Sequence, residues 1–303
     1  MKRLLFILPL LVLGCASRQV VKEEPGITYK ESEEIKGPKR KVAVIDFENK
    51  TRYGERRLGE AVSDILITEL GKSNRFILIE REKFDNLVAE QELERSKYFA
   101  PDQQAEMGRM LGLNAIVTGS VSQFGVHTEG SNCLLWSTKK QVAEATVDVR
   151  TVDVETGQIT YTETGSGSAE RDYTQVLGIG TSGGYDELLG QKAFRQAVVK
   201  FVKNLEEQLS KTTWYCRVAE FEGEKVYLDA GQRSNLPLGT ILTVRRPGKE
   251  IKSPETGIVI GYTQEDVGKI KVTGYFGDDG GTAEVIEGVS PEVGDYAVLL
   301  QER

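Results

Sequence analysis

Around Trp214 the chain changes texture, and that change limits the folds open to it. Upstream, short β-branched runs alternate with segments of helical period; downstream, only short strand-like runs remain. One layered core cannot bury both patterns, so two cores are expected. Lys41–Phe47 (KVAVIDF) reads as a buried strand. Leu58, Ala61, Val62, Ile65, Leu66 and Leu70 recur at helical spacing, with Gly71 as the expected C-cap. Phe76–Glu80 is a second strand. A second helix is expected over EKFDNLVAEQELERS and a third over PDQQAEMGRMLG, with Pro101 near its start and Gly112 at its end. Asn114–Phe124 and Val142–Val154 read as strands, and Ile159–Gly165 pairs back through a turn at Glu155–Gln158. A glycine-rich loop over 165–184 then leads into a long helix from about Asp186 to Leu209. From Trp214 the runs WYCRVAEF, KVYLDAG, GTILTVRR, GIVIGYT, GKIKVTGYF, GTAEVIEG and DYAVLLQ follow one another with Gly, Pro and Asp between them. That spacing predicts a small all-β barrel or sandwich over 211–303, and the whole reads as α+β.

The N-terminus sets the compartment. Met1-Lys2-Arg3 precedes an uncharged run, Leu4–Leu13, about ten residues against the about 20 that a membrane-spanning helix needs. The pattern is that of a secretory signal peptide over 1–14. Gly14 directly before Cys15 resembles the bacterial lipobox, in which the signal peptide is cut before a cysteine that then receives lipid. Several acyl chains on one residue anchor a protein stably, where one chain does so only marginally. Ala16 follows Cys15, where an Asp would favour inner-membrane retention, so the expected site is the outer membrane, facing the periplasm. Residues 15–39 are polar, charged and aperiodic and read as a flexible tether.

Composition removes several classes of function. The formal charge is −7, and loss of Lys2 and Arg3 makes it more negative. A negative chain argues against nucleic acid as a partner. Three cysteines and one histidine, His127 in a polar segment, leave little for a catalytic triad or a metal centre. No catalytic residues, metal ligands or cofactor are expected. Cys133 and Cys216 fall in different expected domains, so a disulfide between them is disfavoured. Leu70-Gly71-Lys72-Ser73 mimics the end of a phosphate-binding loop, but Leu66 stands where the earlier glycine belongs, and the stretch ends a helix instead of starting one. Asp278-Asp279-Gly280-Gly281 lacks the spaced oxygens of a calcium loop and reads as a tight turn.

The segments KVAVIDFENKT, FILIEREKFDNLVAEQ, LGLNAIVTGSVSQFG and VDVRTVDVETGQI, in this order behind a lipobox, resemble the CsgG family. The resemblance covers nearly all of 40–210. It implies an α/β sandwich similar to anticodon-binding domains, a lipid anchor on Cys15, and a homo-oligomer acting in secretion or envelope assembly with a periplasmic or secreted protein partner. In the family's curli member, subunits form a ring, and each gives two hairpins to a transmembrane barrel. Here those hairpins would fall at about 124–142 and 165–185. Both inserts are polar for that role, the first carrying one apolar cluster, Leu134-Leu135-Trp136, which suits a membrane-dipping tip or a subunit contact. The channel-narrowing loop would fall at 49–55, with Asn49 and Tyr53 its candidate residues. VYLDAGQRSNLPLGTILTV resembles the C-terminal domain of flagellar assembly proteins of the FlgT type, which implies a scaffold role. A non-pore lipoprotein that scaffolds or regulates an envelope enzyme is the alternative.

Overall fold

The structure, a computed structural model, describes residues 37–54, 56–79, 86, 101–132, 136–176, 187–255, 257 and 259–299. The expected signal peptide, the tether up to residue 36 and, apart from Asn86, the second helix lie outside the described residues.

The first unit contains β1 (Arg40–Val44), β2 (Glu48–Asn49), α1 (Arg57–Lys72), β3 (Phe76–Ile79), α2 (Pro101–Met110), β4 (Ala115–Asn132), β5 (Trp136–Asp153), β6 (Ile159–Val176) and α3 (Glu187–Lys211). Its six-stranded sheet runs β3-β1-β4-β5-β6, with β2 also paired to β4. β1 is parallel to β3 and β4, whereas β4, β5 and β6 are antiparallel. Period-two alternation divides the apolar residues between two cores. Val42 and Val44 join the core under α1 and α3, while Ala43 and Ile45 join a second one with Met107 of α2.

Helix α1 buries Val62, Ile65, Leu66 and Leu70. It sits close to the chain because Gly59 has no side chain: a Cβ there would lie 1.8 Å from the Phe47 carbonyl oxygen. Ser63 Oγ accepts from the Phe47 N–H at 3.1 Å. The helix ends differently from expectation. Gly71 stays helical, and the left-handed residue is Asn74 at φ 53°, a residue whose short polar side chain tolerates that conformation. Gly112 does end α2's turn at φ 64°.

The glycine-rich loop expected from residue 165 is instead strand. β6 continues to Val176 because its glycines serve packing. A Cβ on Gly165 would lie 2.1 Å from the Ala197 carbonyl oxygen, and one on Gly167 would lie 2.2 Å from that of Ala193. Helix α3 therefore rests on the β6 backbone and buries Ala193, Phe194, Ala197, Phe201 and Leu205 against the sheet.

The second unit is a closed barrel of β7 (Tyr215–Glu222), β8 (Lys225–Leu228), β9 (Ile241–Lys252), β10 (Val259–Phe276), β11 (Gly280–Gly288) and β12 (Tyr296–Val298), ordered β10-β11-β8-β7-β12-β9. Two expected strands, GIVIGYT and GKIKVTGYF, form the single strand β10. Its pairing with β9 shifts register after Val259, Tyr262 and Asp266, and such bulges bend a strand round a barrel. Trp214, Cys216, Leu228, Leu242, Val244 and Ile270 fill the interior. Asp279 ties the turn before β11 to the loop after β8, accepting from the N–H groups of Gly231 at 3.0 Å and Ser234 at 2.8 Å.

A polar seam joins the units. Asn114 accepts from the Lys41 N–H at 2.8 Å and donates to the Tyr215 carbonyl at 3.0 Å. Lys41 Nζ donates to the Asp229 carbonyl at 2.6 Å and its carboxylate at 2.9 Å. Tyr215 and Arg217 donate to the carbonyls of Leu113 and Arg109, and Trp214 Nε1 donates to the Lys39 carbonyl at 3.0 Å.

The α3 contact predicts that Gly167→Val lowers stability by about 3 kcal/mol through overpacking. Gly125→Ala, on the same sheet with nothing within 4 Å of the new methyl group, should stay within about 0.5 kcal/mol of the parent. Urea unfolding monitored by circular dichroism checks the pair.

Candidate functional site

Three long strands reach past the body of the sheet. β1 pairs with β4 only at Ala115–Val117 and β2 only at Ser120–Val121. From there β4, β5 and β6 continue as a three-stranded extension. A bulge at Ser122 moves the inward positions from Val121 to Phe124, which is why strict alternation fails there. The rows Phe124–Ala145–Gly167 and Val126–Ala143–Ala169 face α3. The small residues in these rows leave room for Leu189 and Phe194, and Phe194 stacks on Phe124 with ring centres 5.1 Å apart.

Beyond those rows the extension is charged on both faces. On the α3 side Lys139 and Arg171 are exposed; on the other side Glu129, Glu170 and Asp172 are exposed. Lys140 and Glu170 make a cross-strand ion pair at 2.6 Å. Two long edges carry no paired strand among the described residues, β4 beyond Val121 and the outer side of β6, where Gln196 of α3 accepts from the Ser168 N–H at 3.2 Å. Open edges invite pairing with another chain, and charged side chains along them limit nonspecific pairing.

Asn49 and Tyr53 lie at the root of this extension. Asn49 donates to the Tyr53 carbonyl at 2.6 Å and accepts from the Thr51 N–H at 3.0 Å, closing a compact turn. Tyr53 is exposed, but its ring meets Phe124 edge-on at 6.1 Å. Trp136 starts β5, paired in register with Val176. Leu134, Leu135, Cys133 and the lipid-site candidate Cys15 lie outside the described residues. Strand β4 carries His127, half-exposed and 3.6 Å from Glu129. Cys216 is buried in the barrel, and burial pushes its thiol pKa well up. Among the described residues no cluster of three metal-ligating side chains occurs, and no helix is long and apolar enough to cross a membrane. Sequence reasoning missed the strand character of 165–176; the Gly-Ser-Gly-Ser-Ala alternation at 165–169 is the signal that could have shown it.

A cavity of about 380 Å³ opens at the seam, lined by Thr151, Asp153, Glu155, Gln208, Arg245 and Tyr296 among others. Burial, then the nearby charge of Asp153, raises the Glu155 carboxyl above its usual range, while Gln264 donates to it at 3.3 Å.

The chain belongs to the CsgG family: the family model for the curli production assembly/transport component CsgG matches residues 28–236. A lipoprotein of Neisseria meningitidis serogroup B is 26% identical over 211 residues, covering 66% of this chain and 90% of its own. Among solved structures, a lipoprotein from Neisseria meningitidis aligns with a TM-score of 0.34 at 12% identity, over 57% of this chain and 99% of its own. The PelC dodecamer from Paraburkholderia phytofirmans aligns with a TM-score of 0.31 at 15% identity, over 54% and 85%.

The Glu155 environment yields a signed prediction. A carboxyl whose pKa is raised by folding binds its proton more tightly folded than unfolded. Stability therefore falls as pH rises from the unfolded value through the folded one, and the penalty is complete above the folded value. Glu155→Gln should raise the melting temperature near pH 7 and lose that gain near pH 3, where the parent carboxyl is protonated in both states. Calorimetry at the two pH values measures it.

Proposed function

We propose that this is a lipid-anchored lipoprotein of the bacterial cell envelope, held to the outer membrane through Cys15 and facing the periplasm. It serves a secretion or envelope-assembly system as a non-enzymatic platform. The Gly14–Cys15 lipobox, membership of the CsgG family and the lipoprotein relative support the location. The α/β unit is read as the family's anticodon-binding-domain-like sandwich.

The observation that carries the assembly role is the extension with its two open edges. The β6 edge of one copy can meet the β4 edge of the next, a head-to-tail contact that closes into a ring when its rotation allows. Secreted or periplasmic proteins that offer a strand can add to the same edges. A lipid-facing pore is the less favoured form of this role. A transmembrane strand needs about 9–11 residues with an apolar outward face, and this extension has Glu129, Lys139, Arg171 and Asp172 exposed across both faces.

The full-length lipidated protein, extracted in mild detergent, is expected to run as one closed oligomer in mass photometry and as rings in negative-stain microscopy. Single-copy particles would overturn the ring and shift the function to a tethered partner of an envelope enzyme. Cys15→Ser is expected to move the protein from the membrane fraction to the soluble periplasmic fraction.

A further inference from the structure

One end of the barrel gathers exposed apolar side chains where the tether leaves the body. That end is built from the loop after β8 and the turn between β10 and β11, which Asp279 ties together through Gly231 and Ser234. On it Leu238 is 57% exposed, Ile241 52%, Phe276 44% and Tyr275 39%. The four are held in place from beneath. Tyr275 donates its hydroxyl to the Leu236 carbonyl at 2.5 Å, Gly239 N–H donates to the Val272 carbonyl at 2.8 Å, and Ile241 pairs with Lys271. Phe276 meets Tyr227 edge-on at 5.3 Å. Arg233 and Lys271 are exposed on the same end, and so is Asp278 in the turn.

The tether reaches the body at this place. Lys39 N–H donates to the Ser234 carbonyl at 2.8 Å, and Asn235 Nδ2 donates to the Gly37 carbonyl at 2.9 Å. The chain between Cys15 and Gly37 is thus joined to the same loop that carries Leu238.

We propose that this end of the barrel docks on the surface of the membrane that holds the lipid anchor, with Leu238, Ile241, Tyr275 and Phe276 set into the interfacial layer. The proposal rests on the anchor assigned to Cys15. Aromatic and aliphatic side chains with basic neighbours are the chemistry of interfacial binding, and anionic lipid adds attraction for Arg233 and Lys271. The tether makes the encounter intramolecular, so a small patch suffices. Docking in this pose also sets the direction of the extension. β1 and β4 run parallel from the seam, and the last residue of β4 lies 17 positions beyond Ala115, about 55 Å at strand rise. In this pose we place the tips of β4, β5 and β6 away from the membrane, which position 128 tests.

The test uses the full-length lipidated protein with Cys133→Ser, reconstituted in phosphatidylethanolamine–phosphatidylglycerol vesicles. One sample carries Leu238→Cys and another Thr128→Cys, each labelled with an environment-sensitive fluorophore; the buried Cys216 thiol stays unlabelled. Nitroxide lipids in the bilayer are expected to remove most of the emission from position 238 and leave that of position 128 unchanged. Unquenched emission from 238, or quenching at 128, overturns the pose. Flotation of the vesicles beside a Cys15→Ser control separates this from the anchor itself. If the control floats as well as the parent, the anchor assignment fails, and quenching at 238 in that control decides the pose: quenched emission upholds it and unquenched emission overturns it. If only the parent floats and 238 is unquenched, the anchor stands and the pose alone is wrong.

Discussion

The close approach of α3 to β6 is the contact on which the rest of the first unit depends. With Gly165 and Gly167 lacking side chains, the helix lies directly on the strand backbone. That brings Phe194 onto Phe124, and Phe124 in turn supports Tyr53 and the turn closed by Asn49. Interior packing of this kind is close to that of a molecular crystal and transmits displacement instead of absorbing it. A helix lifted by one methyl group would therefore loosen the root of the extension as well as the core. Glu69 adds an electrostatic tie between the same elements. Its buried carboxylate accepts from Lys72 of α1 and from Arg195 of α3, and removal of one partner from a buried charge is costly.

The elements with strong apolar periodicity were legible in the sequence. The stripe on α3, the alternation of Lys41–Phe47 and the change of texture at Trp214 all reflect burial on one face, which composition records directly. What stayed hidden were features set by backbone proximity. Gly165-Ser-Gly-Ser-Ala169 carries no apolar signal, because the partner of that strand face is a helix backbone. The bulge at Ser122 breaks alternation at the point where the body gives way to the extension, so the apolar pattern stops inside a strand that continues to Asn132. β10 reads as two strands in the sequence for the same reason, its register shifts interrupting the period. Of the candidate residues, Asn49 and Tyr53 close one local turn, but the contact of Tyr53 with Phe124 joins distant segments and no local pattern encodes it. The seam partners Asn114 and Tyr215, 101 positions apart, were invisible for that reason too.

The seam makes the two units one working body. Asn114 sits between Lys41, at the start of the sheet, and Tyr215, at the start of the barrel, and satisfies a backbone group of each. Lys41 and Asp229 add a charge-assisted bond that is largely shielded from water, with side-chain exposures of 15% and 32%. Such bonds contribute more than exposed pairs do. The position of the barrel against the start of β4 is therefore fixed by several independent contacts.

That fixed relation bears on what the extension can do. Insertion of the strand tips in a membrane would bury the charged faces of the extension, at about 2–4 kcal/mol for each Lys or Arg near the middle of the bilayer. That cost opposes insertion of the tips and does not oppose a pose with the apolar end of the barrel against the lipid. In that pose the charged strands remain in water, and the open edges of β4 and β6 stay within reach of copies of the chain or strand-bearing partners.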